Sequence, residues 1–160
     1  MKVDIVNKGS QPIPEYATEQ SAGVDLRANI EDGILLEPLS RALVGTGLYI
    51  QLPKGFEAQI RPRSGLAAKH GITVLNAPGT IDADYRGEIK VELTSLNWEK
   101  KLEAWTRIAQ LEICPYFQEW KPYSTEIPKI EMITDSEMYE NFAERFPSDR
   151  GAGGFGSTSK

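Results

Sequence analysis

Apolar and polar residues alternate in short runs along most of the chain. In Glu88-Ile89-Lys90-Val91-Glu92-Leu93 the alternation is strict, the pattern of a strand with one face in a core and the other toward water or a site. Runs of this kind predict strands over 2–6, 24–28, 34–37, 41–52, 56–61, 72–75, 88–95, 107–118 and 127–133, with turns at Pro38, Pro53-Lys54-Gly55, Pro78-Gly79 and Tyr85-Arg86-Gly87 between them. Two segments break the period. Ser64 to His70, stopped by Gly71, predicts a helix of about two turns with Ser64 as its N-cap. Residues 136–146 place Met138, Phe142 and Phe146 on one face and end before Pro147, predicting a second short amphipathic helix. The expectation is an all-β sandwich or barrel forming one domain over 1–149, with no linker inside it. Residues 150–160 differ: four glycines and one aromatic cannot bury enough surface to order the segment alone.

The composition narrows the picture. The chain has 160 residues, enough for one domain with a real core, and is 40% hydrophobic and 26% charged. One cysteine, Cys114, and one histidine, His70, rule out an intrachain disulfide, a Cys-based zinc cluster and a two-His metal site. No run approaches the roughly 18 apolar residues of a membrane helix, and the N-terminus lacks the apolar core of a signal peptide. The expected setting is reducing and cytoplasmic, or nuclear in a eukaryote or virus. The formal charge of −5 argues against a nucleic-acid groove, yet leaves room for a small phosphorylated ligand held by a few placed cations.

Four segments carry candidate chemistry. In the tail, Gly151, Gly153 and Gly156 fit the dinucleotide fingerprint, but the strand before and the helix after are missing. What survives is a set of backbone N–H groups able to converge on an anion, with Arg150 for a bidentate phosphate contact and Ser157 and Thr158 as hydroxyl donors. Phe155 has no apolar neighbour to pack on. The segment reads as a closing flap, against the plainer alternative of a solvated tail. Arg61-Pro62-Arg63-Ser64-Gly65 puts two arginines before a helix start, a phosphate-binding arrangement or simply a cap with solvated cations. The stretch from Asn76 to Gly87 reads as a hairpin in which Asp82 could deprotonate a water and Asn76 could read a base edge, or as turn chemistry alone. Arg107-Ile108-Ala109-Gln110-Leu111 alternates, with Arg107, Ala109 and Leu111 on one face and Ile108 and Gln110 on the other. No G-x-S-x-G elbow supports a serine hydrolase.

Taken in order, five segments resemble the dUTPase family of homotrimeric nucleotidohydrolases: Ala22 to Leu26, Pro62 to Ala67, Gly79 to Gly87, Arg107 to Leu111 and Arg150 to Thr158. The resemblance implies a jelly-roll subunit and a homotrimer with shared active sites. It implies hydrolysis of dUTP to dUMP and pyrophosphate with Mg2+ on the triphosphate, which limits uracil in DNA and supplies dUMP for dTMP synthesis. By position, Asp82 would activate the attacking water, and Asp25 would hold the metal through its water shell. Arg63, Ser64 and Gly65 would grip the phosphates, and Gln110 would lie near the α-phosphate. Asn76 and the backbone of Gly79, Thr80 and Ile81 would read uracil, Tyr85 would sit beneath the sugar, and Lys90 would be a minor binding residue. The tail would close as a lid over a neighbouring site, Phe155 stacking on the base and Arg150, Gly156, Ser157 and Thr158 meeting the γ end. Trp105-Thr106 stands where the family has a Gly-acid turn, and the stretch 112–149 is longer than usual. Two alternatives go with the same fold: a dCTP deaminase, with Glu92 near that family's general base but Ala68 where its arginine falls, and a catalytically silent nucleotide-binding trimer.

Overall fold

The computed structural model describes residues 3–97, 99–116 and 147–148. Among these, eleven strands and one helix follow in the order β1 (Asp4–Asn7), β2 (Gly23–Arg27), β3 (Ile34–Leu36), β4 (Arg41–Gly45), β5 (Leu48–Gln51), β6 (Phe56–Arg61), α1 (Ser64–His70), β7 (Ile72–Val74), β8 (Gly79–Ile81), β9 (Lys90–Ser95), β10 (Lys100–Leu102) and β11 (Arg107–Pro115). The strands pair antiparallel in a four-stranded sheet β2-β11-β6-β8, a three-stranded sheet β4-β9-β7, and the two-stranded pairs β1-β5 and β10-β3. This is the expected all-β, jelly-roll-like architecture.

Alternation builds the core. On β6, Ala58 and Ile60 are buried while Glu57, Gln59 and Arg61 are half-exposed on the other face. Val24, Leu26, Ile81 and Leu111 of the larger sheet join Val44, Ile72, Val74, Val91 and Leu93 of the smaller one in a single apolar cluster. The four-stranded sheet therefore has one dry face and one polar face.

Several expectations need correction. The run 41–52 is two strands, because Gly45-Thr46-Gly47 turns the chain, Gly47 at φ 73°. Residues 88–89 precede β9, with Ile89 buried and bonded through its backbone to Thr46 and Leu48. The stretch around Pro78-Gly79, read as a turn within a hairpin, contains β8, and β7 and β8 do not pair with each other. β7 pairs with β9 and β8 with β6, so residues 75–78 carry the chain from one sheet to the other. Strand β10 was not expected, since Lys100-Lys101-Leu102 offers a single apolar residue. Ser64 is not the N-cap: Arg63 occupies that place with extended backbone and no side-chain cap, and its carbonyl accepts from the N–H groups of Leu66 and Ala67, both at 3.1 Å. Gly71 ends the helix in the left-handed conformation, as expected. The strand over 127–133, the helix over 136–146 and the tail lie outside the described residues. The described chain does include Ser148, whose hydroxyl donates to the carbonyl of Asp84.

Gly47 supplies a first test. A Cβ there would lie 2.6 Å from the backbone N of Gly9 and 2.8 Å from its Cα, at a positive φ. Gly47→Ala combines left-handed strain with a clash against backbone, which cannot swing aside. A loss of at least about 2 kcal/mol is expected in denaturant unfolding.

Candidate active site

The polar face of the four-stranded sheet organises the first group of candidates. Cross-strand register places Gln110 of β11 between Asp25 of β2 and Arg61 of β6, so all three side chains share that face. Arg63, two residues beyond Arg61, projects to the same side. Its Nε donates to Asp25 Oδ1 at 2.7 Å, and Arg107 Nη1 reaches Asp25 Oδ2 at 3.2 Å. Gln110 Nε2 donates to the carbonyl of Pro62 at 3.1 Å, fixing the turn that leads into α1. Ser64 and Gly65 open the helix beside it, both exposed.

Arg107 reaches Asp25 because strict alternation fails. A bulge between Arg107 and Ala109 inserts one residue, so Ile108 and Ala109 are both buried and Arg107 leaves the core face. The expected sharing of a face by Arg107, Ala109 and Leu111 is thereby overturned, and Arg107 joins the Gln110 side. The unusual Trp105-Thr106 nevertheless makes a tight turn. Trp105 adopts φ 65°, its N–H donates to Ala28 O at 3.0 Å, and its carbonyl accepts from Arg27 Nη1 at 3.1 Å.

Further along the same face, the neighbouring Arg61 is committed to the sheet. Its Nη1 pairs with Glu112 at 2.7 Å and its Nη2 donates to Gln59 at 2.7 Å, while Gln59 donates to Glu57 at 2.7 Å. Cys114 lies near these groups. Burial pushes its thiol pKa up, and Arg61 opposes that while Glu112 and Glu57 add to it, which disfavours the thiolate.

The second group lies on residues 76–90. Asn76 is exposed beside Gly79, whose missing Cβ would stand 3.4 Å from both Asn76 Nδ2 and Ile60 Cβ. Gly79 and Ile81 are buried, and Thr80 is exposed on the polar face opposite Gln59. Half-buried Asp82 follows, its carbonyl accepting from the Tyr85 N–H at 3.1 Å. Arg86 is 7% exposed, and its Nη1 donates to the carbonyls of Ala83 at 2.8 Å and Tyr85 at 2.9 Å, which pins this turn from inside. Burial lowers the Arg86 pKa and Asp84 counters it, so the guanidinium stays charged. The Tyr85 hydroxyl donates to Glu88 O at 2.9 Å. Burial raises its pKa, with Glu88 and Tyr49 adding to the rise, so the phenol remains a donor. Lys90 Nζ stands 3.9 Å from Glu88 Oε2. Glu92 lies opposite Leu43 on the three-stranded sheet, apart from the arginine group.

The second group runs along β6, with Gly79 paired to Ile60 and Asn76 beside it near the arginine end and Asp82 toward the other end. Asp82 follows Ile81, whose partner is Ala58, whereas Arg63 lies five residues beyond Ala58. At a strand rise of about 3.3 Å per residue the separation is on the order of 16 Å. Arg150, Phe155, Gly156, Ser157 and Thr158 lie outside the described residues. Sequence reading gave no role to Arg107, Arg86 or Glu88; only the segments holding them were marked.

The fold and this face define a jelly-roll-like, all-β protein in which Arg63 and Arg107 are gathered around Asp25 on one polar sheet face. Comparison with known proteins narrows this class. The chain belongs to the dUTPase family, whose sequence profile matches residues 10–159. A deoxyuridine 5'-triphosphate nucleotidohydrolase of Cytophaga hutchinsonii is 51% identical over 159 residues, covering 99% of this chain and 92% of the relative. Another, from Finegoldia magna, is 45% identical over 159 residues and 99% of each chain. Among solved structures, the dUTPase of Staphylococcus bacteriophage 80alpha superposes over 99% of this chain and 98% of its own with a TM-score of 0.66, at 20% identity. A point mutant of the dUTPase from phage phi11 of S. aureus, described with a structural Mg(II) ion, gives 0.66 over 79% of this chain and 99% of its own, at 18% identity. At such identities these likenesses speak for the fold.

Proposed function

We propose that this enzyme hydrolyses dUTP to dUMP and pyrophosphate, and that it does so in active sites built from more than one copy of the chain. The separation along β6 carries the second part. In one chain Asp82 and Arg63 are separated by about 16 Å along β6, which supports drawing the water-activating carboxylate and the phosphate-side residues Arg63, Ser64 and Gly65 of one site from different copies. A homotrimer, as the family resemblance implies, would place one group of each chain against the other group of its neighbour, with the 150–160 segment of a third copy as the lid.

In this reading Arg63 and the start of α1 take the phosphates and Gln110 orients the α-phosphate. Asp82 holds the water in line and accepts its proton, while Asn76 and the backbone at Gly79 to Ile81 match uracil's N3–H and O4. Cytosine reverses that donor–acceptor order, and each mismatched buried group costs about 1–3 kcal/mol. The names of the similar relatives favour the hydrolase over a dCTP deaminase.

Magnesium fits the residues present in one manner. Among the described residues no three His, Cys, Asp or Glu side chains cluster as direct ligands. Asp25 gives one lone pair to each of two arginines, and its remaining lone pairs suit the water shell of a hydrated ion better than the ion itself. When bound to the triphosphate, the ion neutralises charge that builds on the leaving pyrophosphate.

Two measurements test the proposal. Pyrophosphate release across the deoxynucleoside triphosphates should be confined to dUTP; ammonia release from dCTP would overturn the reaction. Refolding Asp82→Asn chains together with Arg63→Ala chains should restore activity in about a quarter of the sites by random assortment. A mixture as inactive as its parents would overturn the shared site.

A further inference from the structure

Tyr85 is held in place by an apparatus that its own segment does not contain. Its ring packs on Gly87, where a Cβ would stand 2.5 Å from Tyr85 Cζ. Its hydroxyl donates to the carbonyl of Glu88. The position of the ring therefore follows the backbone of residues 87–88.

That backbone is gripped by the turn between β4 and β5. The Glu88 carboxylate Oε1 accepts from the Gly47 N–H at 2.8 Å. The Ile89 carbonyl accepts from the Thr46 hydroxyl at 2.7 Å and the Thr46 N–H at 3.2 Å, and the Ile89 N–H donates to Leu48 O at 2.8 Å. The carboxylate lies directly over Gly45, where a Cβ would be 2.5 Å from Glu88 Oε1. Two glycines thus serve one carboxylate, Gly45 by leaving it space and Gly47 by donating to it. Backbone bonds hold Ile89 to this turn, and the Glu88 carboxylate adds a separate tie to Gly47 one residue closer to Tyr85.

We propose that Glu88 is a positioning residue for sugar selectivity: it ties the floor under the deoxyribose to the Gly45–Gly47 turn and so keeps Tyr85 where a ribose 2'-hydroxyl cannot enter. The proposal rests on the reading of Tyr85 as the residue beneath the sugar. Glu88 itself touches no substrate. Without its carboxylate the Gly47 N–H loses its acceptor, residues 87–88 gain freedom, and the tyrosine can yield to the larger sugar.

The test is the ratio of kcat/KM for dUTP to that for UTP, measured well below each variant's unfolding temperature. Tyr85→Ala should lower the ratio roughly 10- to 100-fold, and Glu88→Ala roughly 3- to 10-fold, through faster UTP turnover. Glu88→Gln keeps an oxygen for Gly47 N–H and should restore a ratio near wild type. Gly45→Ala should displace the carboxylate and lower the ratio as Glu88→Ala does, and the double variant should fall no further than either single one. Should Glu88→Ala fail to fold, Gly45→Ala and Glu88→Gln decide the matter. A wild-type ratio in Gly45→Ala or Glu88→Ala, while Tyr85→Ala loses selectivity, would overturn the role of Glu88 and leave the sugar reading intact. An unchanged ratio in Tyr85→Ala would overturn the sugar reading itself. A Glu88→Gln as poor as Glu88→Ala would show that the charge beside Lys90 matters, not the anchoring, and would also overturn the proposal.

Discussion

Asp82→Asn is expected to lower kcat by about 10²–10⁴-fold while leaving nucleotide affinity nearly unchanged. The substitution preserves the shape of the side chain and one acceptor oxygen but removes the group that takes the proton from water. That interaction grows as the water attacks, so its loss falls on the transition state and spares the ground state. The backbone around Asp82 is well constrained, by the Tyr85 N–H on its carbonyl and by the Arg86 guanidinium inside the turn, so an amide should disturb the fold little. Asp84 is the internal control. It is exposed, its carbonyl takes the Ser148 hydroxyl, and its charge supports Arg86. Asp84→Asn should therefore be nearly silent in kcat. Single-turnover hydrolysis and equilibrium binding of a non-hydrolysable dUTP analogue separate the two effects. Near-wild-type single-turnover rates in Asp82→Asn, or a dead Asp84→Asn, would refute the assignment.

The sequence yielded the fold wherever one residue alternates cleanly with the next. Residues 56–61 became β6 with the expected burial, and Gly71 closed α1 as its conformational freedom allows. The reading failed where alternation is interrupted. Leu43 to Ile50 looks continuous, yet a left-handed Gly47 splits it, and a single inserted residue at Ile108 moves Arg107 to the opposite face. Neither event leaves a mark in a period-two pattern. The short strand β8 was hidden because Pro78-Gly79 signals a turn, and the strand's partner lies some twenty residues earlier in β6.

The candidate site shows the same division. Resemblance marked the segments, but roles within them depend on pairings across long stretches of chain. Asp25 meets Arg63 across 38 positions and Arg107 across 82. Glu88 on a half-exposed alternating strand reads as a solvated charge, and only the turn from Gly45 to Gly47 shows that it is an anchor. Local patterns carry propensity and burial; such contacts arise from the closure of the sheets.

Removing residues 150–160 is expected to leave the fold intact and to cost most of the activity. Among the described residues the buried core runs from Val3 to Leu111, and four glycines with one aromatic give residues 150–160 little apolar surface to add to it. Their described neighbour Ser148 is bonded to Asp84, close to the proposed base-binding segment. From there eleven residues can extend at most about 40 Å. In the proposed role Arg150 contributes a charge-assisted phosphate contact of about 1.5–3 kcal/mol. Phe155 adds stacking of roughly 1–3 kcal/mol, which tolerates any base and so gives affinity without selectivity. Losing both amounts to about 10²–10⁴-fold in kcat/KM, at about 1.4 kcal/mol per tenfold. Phe155→Ala alone should lose only the stacking share, with the dUTP preference preserved. Unfolding temperature and size-exclusion volume of the truncated chain should match the full-length protein. A truncated chain that fails to assemble would make the segment structural, and one that hydrolyses dUTP at the full-length rate would deny it any part in the site.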